Sequence, residues 1–263
     1  MSAYVFGKTG AGQASPAISV VVPYFQSAAH IEACLHALQA QDAVRGGYEL
    51  LFIDNGSQDG SSEIVSRFER VAHLREATPG AYAARNAGIR AARGDLIALT
   101  DADCTVAPDW LATLQRAFEE PDVGAVIGHC SYPPEASFAL RVLGAYENEK
   151  ARHVLRDKPA AYRFAYANNM AVRTALFHEL GPFEEWKRAG DSEFVHRMAR
   201  KRPDLQLCFE PAMRIVHREF LSARARARRL SVYTGTNARI DSFRELGRLE
   251  RLKLLARALV RRD

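Results

Sequence analysis

The sequence predicts an α/β fold in which a mostly parallel central sheet is flanked by helices. Three observations carry this. Short β-branched runs alternate with stretches of helical periodicity from Ile18 to about residue 130, which is the rhythm of parallel strands joined by helical crossovers. The strongest runs end in polar, turn-forming residues, "PYFQ", "DNGSQDGS" and "DADC", at the carboxyl ends where such sheets gather ligands. The composition, 263 residues with 48% hydrophobic and 25% charged, is ordinary for a globular chain of one large domain or two small ones.

"ISVVV" (18–22) is a short β-branched run closed by Pro23, too short for a helix. Residues 28–41 place Ile31, Leu35 and Leu38 on one helical face. "ELLFID" (49–54) reads as a second buried strand, "SSEIVSRFERV" (61–71) as a helix and "AYAARNAGIRAA" (81–92) as another. "DLIALT" (95–100) is a third strand, and Pro108 opens a helix at its first turn. "VGAVIGH" (123–129) is a further strand. The second half is less regular: a helix over 137–156, an extended "YANNMAVR" (166–173), a helix over 190–201, and two short strands near 205–209 and 213–216 before His217. From about residue 221 the chain reads as a basic helical extension, and residues 1–16 as a glycine-rich leader.

Several function classes are excluded early. The longest near-continuous apolar stretch, "AISVVVPYF", is too short to cross a bilayer. No signal peptide opens the chain, so the expected location is cytoplasmic. The four cysteines, Cys34, Cys104, Cys130 and Cys208, show no C-x-x-C spacing and read as small buried residues in a reducing compartment. "FGKTGAG" fails as a phosphate loop, because Ser2 stands where the first glycine is needed and no strand precedes it. Net charge is +5, yet from Arg214 onward 14 Lys+Arg face 5 Asp+Glu, which leaves the first 213 residues at −4. The basic character belongs to the C-terminal end.

Asp101 and Asp103 follow the third strand with one residue between them. Side chains two apart on an extended chain point the same way, and like charges that close do not both ionise cheaply. A divalent cation resolves this, since Mg²⁺ and Mn²⁺ take carboxylate oxygens together with substrate phosphates. The alternative, a helix cap, is weaker because Pro108 and Asp109 already serve the next helix.

Taken together, "ISVVVPYFQSAAHIEACLHALQAQ", "ELLFIDNGSQDGS", "PGAYAARNAGIRAARGDLIALTDADC", "YANNMAVRTALFHELGPFEEW" and "GDSEFVHRM" resemble, in content and order, the family 2 glycosyltransferases of the GT-A fold. The resemblance covers about residues 17–217. It implies a single Rossmann-like domain over 17–220, with a nucleotide-binding half at about 17–130, an acceptor half at about 131–220, and the helical extension over 221–263. It also implies an activity: metal-dependent transfer of a sugar, with inversion, from a nucleotide diphosphate, UDP above all, to an acceptor hydroxyl in cell-envelope polysaccharide or glycolipid synthesis.

Carried over residue by residue, the resemblance implies that Pro23, Tyr24 and Asp54 surround the nucleoside and that Arg85 borders the nucleotide. Asp101 would reach the ribose or metal side, Asp103 would bind Mn²⁺ or Mg²⁺, and His217 would complete the metal site. Asp191 matches the catalytic base. Each has a plainer reading: Asp54 as a turn initiator, Arg85 as a surface charge, Asp191 as a helix cap, His217 as a structural histidine. Three positions depart from the family pattern. Gln26 replaces an asparagine, "DNGS" replaces "DDGS", and "GD" replaces "ED", leaving Asp191 alone as the base.

Rival readings are a nucleotide-sugar-binding protein without turnover, which has no need of Asp191, and a sugar nucleotidyltransferase, whose glycine-rich loop is missing from "PYFQSAAH". A dinucleotide dehydrogenase lacks its G-x-G-x-x-G, and nucleic-acid binding has only the basic tail to recommend it. The expected partners are the nucleotide-sugar donor and a saccharide, lipid-linked or other hydroxyl acceptor. The run "RARARR" (224–229) suggests peripheral association with an anionic membrane at its inner face. The plainer reading is a solvated helix, and the leucines of 243–260 spread around the axis without the single apolar stripe of an interfacial helix.

Overall fold

The computed structural model describes residues 15–219, 240 and 243–260. Eight strands form one sheet: β1 (Ile18–Tyr24), β2 (Tyr48–Asp54), β3 (Val71–Arg75), β4 (Leu96–Thr100), β5 (Cys104–Val106), β6 (Val123–Ser131), β7 (Asn169–Arg173) and β8 (Gln206–His217). The helices are α1 (Ile31–Gln39), α2 (Ser61–Ser66), α3 (Ala81–Ala91), α4 (Trp110–Ala117), α5 (Phe138–Asp157), α6 (Thr174–Leu180), α7 (Gly190–Lys201) and α8 (Arg248–Val260).

The strand order is β3-β2-β1-β4-β7-β6-β8-β5. The β1–β2, β2–β3, β1–β4 and β6–β8 pairs are parallel. β7 runs antiparallel to both its neighbours, and β5 antiparallel to β8. The order reverses at β1: β2 and β3 lie on one side and β4 on the other, which opens a crevice at the carboxyl ends of β1 and β4.

Strand alternation divides the core in two. Ile18, Val20 and Val22 of β1 join Leu35 of α1 and Trp110 and Leu114 of α4 on one face. Val21 joins Ile89 of α3, Leu176 of α6 and Phe194 of α7 on the other. Helices therefore cover both faces, which is why the central strands are apolar throughout. At the amino ends, Glu49 is fully buried and accepts from Ser19 Oγ (2.6 Å), Arg93 Nε (3.0 Å) and Arg93 Nη2 (2.9 Å). This clamp sits at the end of the sheet away from the polar loops.

Two local expectations are corrected, and two elements are added to those expected. The helix expected over 61–71 ends at Ser66, and Val71–Arg75 is strand β3. As an edge strand it is half-exposed, so it lacks the apolar run that marks the inner strands. "CTV" (104–106) is strand β5, and "TALFHEL" (174–180) is helix α6. The two short strands expected near 205–209 and 213–216 are one strand, β8. Its pairing with β6 jumps from Gly128↔Glu210 to His129↔Arg214, a bulge at the predicted gap. Asn169 holds it, donating from Nδ2 to His129 O (3.0 Å) and Met213 O (2.9 Å) while its Oδ1 accepts from Trp110 Nε1 (2.9 Å). A Cβ at Gly128 would lie 2.1 Å from Met213 O, so only glycine fits there.

Candidate active site

A cavity of about 920 Å³ opens at the crevice between β1 and β4. Of the eight residues singled out from sequence, Pro23, Tyr24, Arg85, Asp101, Asp103, Asp191 and His217 line it. Asp54 stands behind the wall, almost fully buried. Its Oδ1 accepts from Gly56 N (3.1 Å) and Ser57 N (2.8 Å), and its Oδ2 from Ser62 Oγ (2.9 Å). Burial works to raise its pKa, but these hydrogen bonds prevail and hold it below the usual carboxylate value. Asp54 thus initiates its turn, and the Ser57 side chain also hydrogen-bonds its carboxylate.

Asn55 carries the next turn position into the cavity wall. It donates to Glu76 O (3.0 Å) and Thr78 O (2.8 Å) and accepts from Gly80 N (2.8 Å), bracing the entrance to α3. The Tyr24 hydroxyl bonds His73 Nε2 and lies 3.2 Å from Ser62 Oγ. Burial pushes this phenol up to about 12, so it stays neutral.

Arg85 projects from α3 with its side chain 7% exposed, and its Nη2 donates to Asp101 Oδ1 at 2.5 Å. Its guanidinium also lies over the Tyr82 ring, 5.3 Å from the centroid. Burial disfavours its charge, but Asp101, Tyr82 and Asp191 more than offset this and raise its pKa. Arg85 is therefore a fixed buried cation, not a surface charge. It neutralises one of the two neighbouring aspartates, a partner the sequence spacing alone did not reveal. Its Nε and the Oδ1 of cavity-lining Asn168 are buried with no hydrogen-bond partner among the described residues.

Asp103 faces His217 across the β5–β8 pair, with Oδ2 and Nε2 3.8 Å apart. Two ligands each about 2.1 Å from one small divalent ion lie between about 3 Å and about 4.2 Å apart, depending on the angle they subtend, so this spacing fits. The donor set also fits Mn²⁺, which accepts imidazole nitrogen beside carboxylate oxygen. Cys104, read from sequence as buried apolar filler, extends the cluster: its Sγ lies within 4.8 Å of the Asp103 and His217 ligand atoms. β5 pairs Cys104 with His217 directly, a contact no local pattern announces.

Asp191 lies in the first turn of α7. Its Oδ2 accepts from Ala167 N (2.9 Å) and its Oδ1 from Ser192 N (2.8 Å), while its own N–H donates to the Tyr82 hydroxyl (3.3 Å). The Tyr82 hydroxyl in turn hydrogen-bonds the carboxylate, which leaves one of its four lone pairs open. Burial raises its pKa, against those hydrogen bonds and the Arg85 charge. A carboxylate so held is better suited to take a proton than an ordinary aspartate. The position before it must be glycine, since a Cβ at Gly190 would meet Glu184 O at 2.6 Å and the Tyr82 ring at 3.1 Å. The missing family carboxylate therefore has a packing cause. The basic run 224–229 lies outside the described residues.

The family model for glycosyl transferase family 2 matches residues 19–181, which is more than half the chain. The protein belongs to glycosyl transferase family 2. Among relatives of this family 2 chain, glycosyltransferase AglE of Haloferax volcanii is 29% identical over 174 residues, 64% of this chain and 56% of the relative. Glycosyltransferase GlyG of Streptococcus pneumoniae is 34% identical over 202 residues, 70% of this chain and 65% of the relative. The chain thus spans 56% to 65% of these relatives' lengths. Among solved structures, mannosyltransferase PcManGT of Pyrobaculum calidifontis, in complex with GDP-Man and Mn²⁺, superposes at TM-score 0.62 with 24% identity, over 94% of this chain and 75% of that one. TarS of S. aureus, in complex with UDP-GlcNAc, gives TM-score 0.62 with 16% identity over 92% and 71%. These superpositions show the GT-A fold. Among the described residues no helix is long and apolar enough to cross a membrane.

Proposed function

We propose that the protein transfers a sugar from a nucleotide-diphosphate donor, foremost a UDP-sugar, to an acceptor hydroxyl in one inverting step within envelope polysaccharide or glycolipid synthesis. The observation that carries this is the pairing, in one cavity, of a buried Asp191 carboxylate of raised pKa with the Arg85–Asp101–Asp103–His217 group. A purely binding protein has no use for a carboxylate held at the cost of burial.

In this reading Pro23, Tyr24 and Asn55 border the nucleoside, and Asp54 fixes from behind the turn that carries Asn55. Arg85 orients Asp101 toward the ribose or metal side and keeps a second cation near the diphosphate. Asp103 and His217 hold the divalent ion, Mn²⁺ or Mg²⁺, which when bound stabilises charge on the departing diphosphate. Asp191 accepts the acceptor's hydroxyl proton at a free carboxylate lone pair as the new bond forms. The reading also keeps the boundaries expected from sequence, a transfer domain over 17–220 and an extension over 221–263.

Thermal denaturation with UDP, GDP, dTDP and CDP, each with Mn²⁺ or Mg²⁺, tests the donor side. A nucleotide at about 100 times its dissociation constant stabilises by about 2.7 kcal/mol, a shift of about 5–10 °C for a domain this size. Asp103→Ala should lose the metal-dependent part of that shift and keep its fold. An equal shift in variant and wild type would remove Asp103 from the metal site.

A further inference from the structure

Helix α8 carries two apolar faces, and among the described residues only one of them is packed. Leu254 and Ala258 are buried, and Leu254 joins Val154 of α5 and Leu246 in one cluster. Leu249, Leu252, Leu255, Leu259 and Val260 are exposed, Leu249 at 68%, Leu252 at 62% and Val260 at 83%. At about 100° per residue, these five and Ala256 fill one arc of about 140°, on the side away from the buried pair. Exposed Lys253 and Arg257 border one edge of the arc and Arg251, 3.5 Å from Glu245, the other. Exposed Arg248, the helix's first residue, projects within the arc between Leu255 and Leu259. The helix's acid, Glu250, is engaged inward, 2.7 Å from His153 and 2.6 Å from Lys158 at the end of α5.

We propose that this outer face of α8 docks on an anionic lipid bilayer. An apolar arc bordered by cations matches the acyl boundary and the phosphates above it. A second copy of the chain matches less well. A two-fold contact sets a patch against itself, and here it would bring Arg248, Lys253 and Arg257 against like charges. The same segment reaches the active site, since Phe243, Arg244, Leu246 and Arg251 line the cavity. Docking α8 therefore sets that edge of the cavity beside the bilayer and favours an acceptor hydroxyl carried on a lipid. The acceptor class rests on the glycosyl-transfer reading; the docking does not.

The test sediments the full chain with phosphatidylcholine vesicles, with and without phosphatidylglycerol, at low and high salt. The wild type should bind the anionic vesicles, more strongly at low salt. Leu252→Gln with Leu255→Gln and Leu259→Gln should weaken partitioning at least about tenfold and keep the nucleotide-dependent thermal shift. Lys253→Gln with Arg257→Gln should weaken it mainly at low salt. No wild-type binding to anionic vesicles at low salt overturns the proposal. Wild-type-like binding by the leucine variant also overturns it and moves the contact elsewhere, such as Arg224, Arg226, Arg228 and Arg229. A wild-type dimer that the leucine variant converts to monomer assigns the face to a second copy instead. Vesicle binding without any nucleotide response would sink the glycosyl-transfer reading and leave the docking surface standing.

Discussion

Replacing Asp191 with asparagine separates the chemistry from the fold. The two native oxygens accept Ala167 N and Ser192 N at 2.9 Å and 2.8 Å. Asparagine offers an acceptor to only one of these donors and turns its own N–H₂ toward the other. A buried donor facing a donor costs about 1–3 kcal/mol, although removing a buried charge offsets part of that. At about 2–4 °C per kcal/mol for this size of domain, the melting temperature should fall by about 2–12 °C, and the variant stays folded at assay temperature. Its transfer rate at saturating donor should fall about 10²–10⁴-fold, the usual worth of a positioned base. The pH profile gives a second readout. Catalysis needs the ionised carboxylate, and the Asp191 pKa is raised by burial, so wild-type activity should climb through a pH above the ordinary aspartate value of about 3.9. The variant's residual rate should lack that rise. Transfer within about threefold of wild type, or a wild-type profile already level at the ordinary aspartate value, would refute the assignment of Asp191 as base.

Two further outcomes follow from the same geometry. Gly190→Ala brings a Cβ to 2.6 Å from Glu184 O, so the loop before α7 must move. Transfer should fall more than tenfold while the nucleotide-dependent thermal shift remains; unchanged transfer would show that the close approach is not needed. Asp54 has a lowered folded-state pKa, so its stabilisation is present above the unfolded value of about 3.9 and is lost as pH falls through the lower folded value. Asp54→Ala should therefore be less stable by about 2 kcal/mol at neutral pH and show a shallower acid limb in denaturation, and parallel limbs would contradict this.

The sequence exposed those parts of the fold whose burial is strong and local. β1, β2, β4 and β6 are apolar runs because helices cover both faces, and α1, α3, α5 and α7 show helical spacing for the same reason. β3 and β5 escaped notice because an edge strand and a three-residue strand bury too little to leave a pattern. In the site, the order of motifs carried Asp101, Asp103, Asp191 and His217 toward one cavity. What stayed hidden was the pairing between distant segments: Arg85 with Asp101, Cys104 with His217, Tyr82 with Asp191, and Asn169 across the β6–β8 bulge. None of these leaves a trace in spacing along the chain.

The three departures from the family pattern become intelligible once those pairings are placed. Gln26 sits at φ 51, a left-handed conformation costly for a long side chain. Its Oε1 accepts from Gln58 N (2.8 Å) and its backbone N donates to Ser57 Oγ (3.2 Å), tying the loop after β1 to the loop after β2. Asn55 donates twice and accepts once around residues 76–80. An aspartate there could accept from Gly80 but could donate to neither carbonyl, so the exchange trades a charge for a brace on α3. Gly190 admits the Glu184 carbonyl and the Tyr82 ring against the start of α7. Tyr82 and Arg85 share α3, so one rigid helix positions the Asp191 backbone through Tyr82 and the Asp101 carboxylate through Arg85. At all three positions the contacts made are to the protein itself: Gln26 and Asn55 tie loops together, and Gly190 admits the Glu184 carbonyl. In the proposed reading, they act by holding the loops that carry Asp191, Asp101 and Asp103 around one cavity. A position error of about 1 Å at such a site can cost about 10²-fold in rate, which is reason enough for a chain to hold a strained Gln26 and an obligatory Gly190.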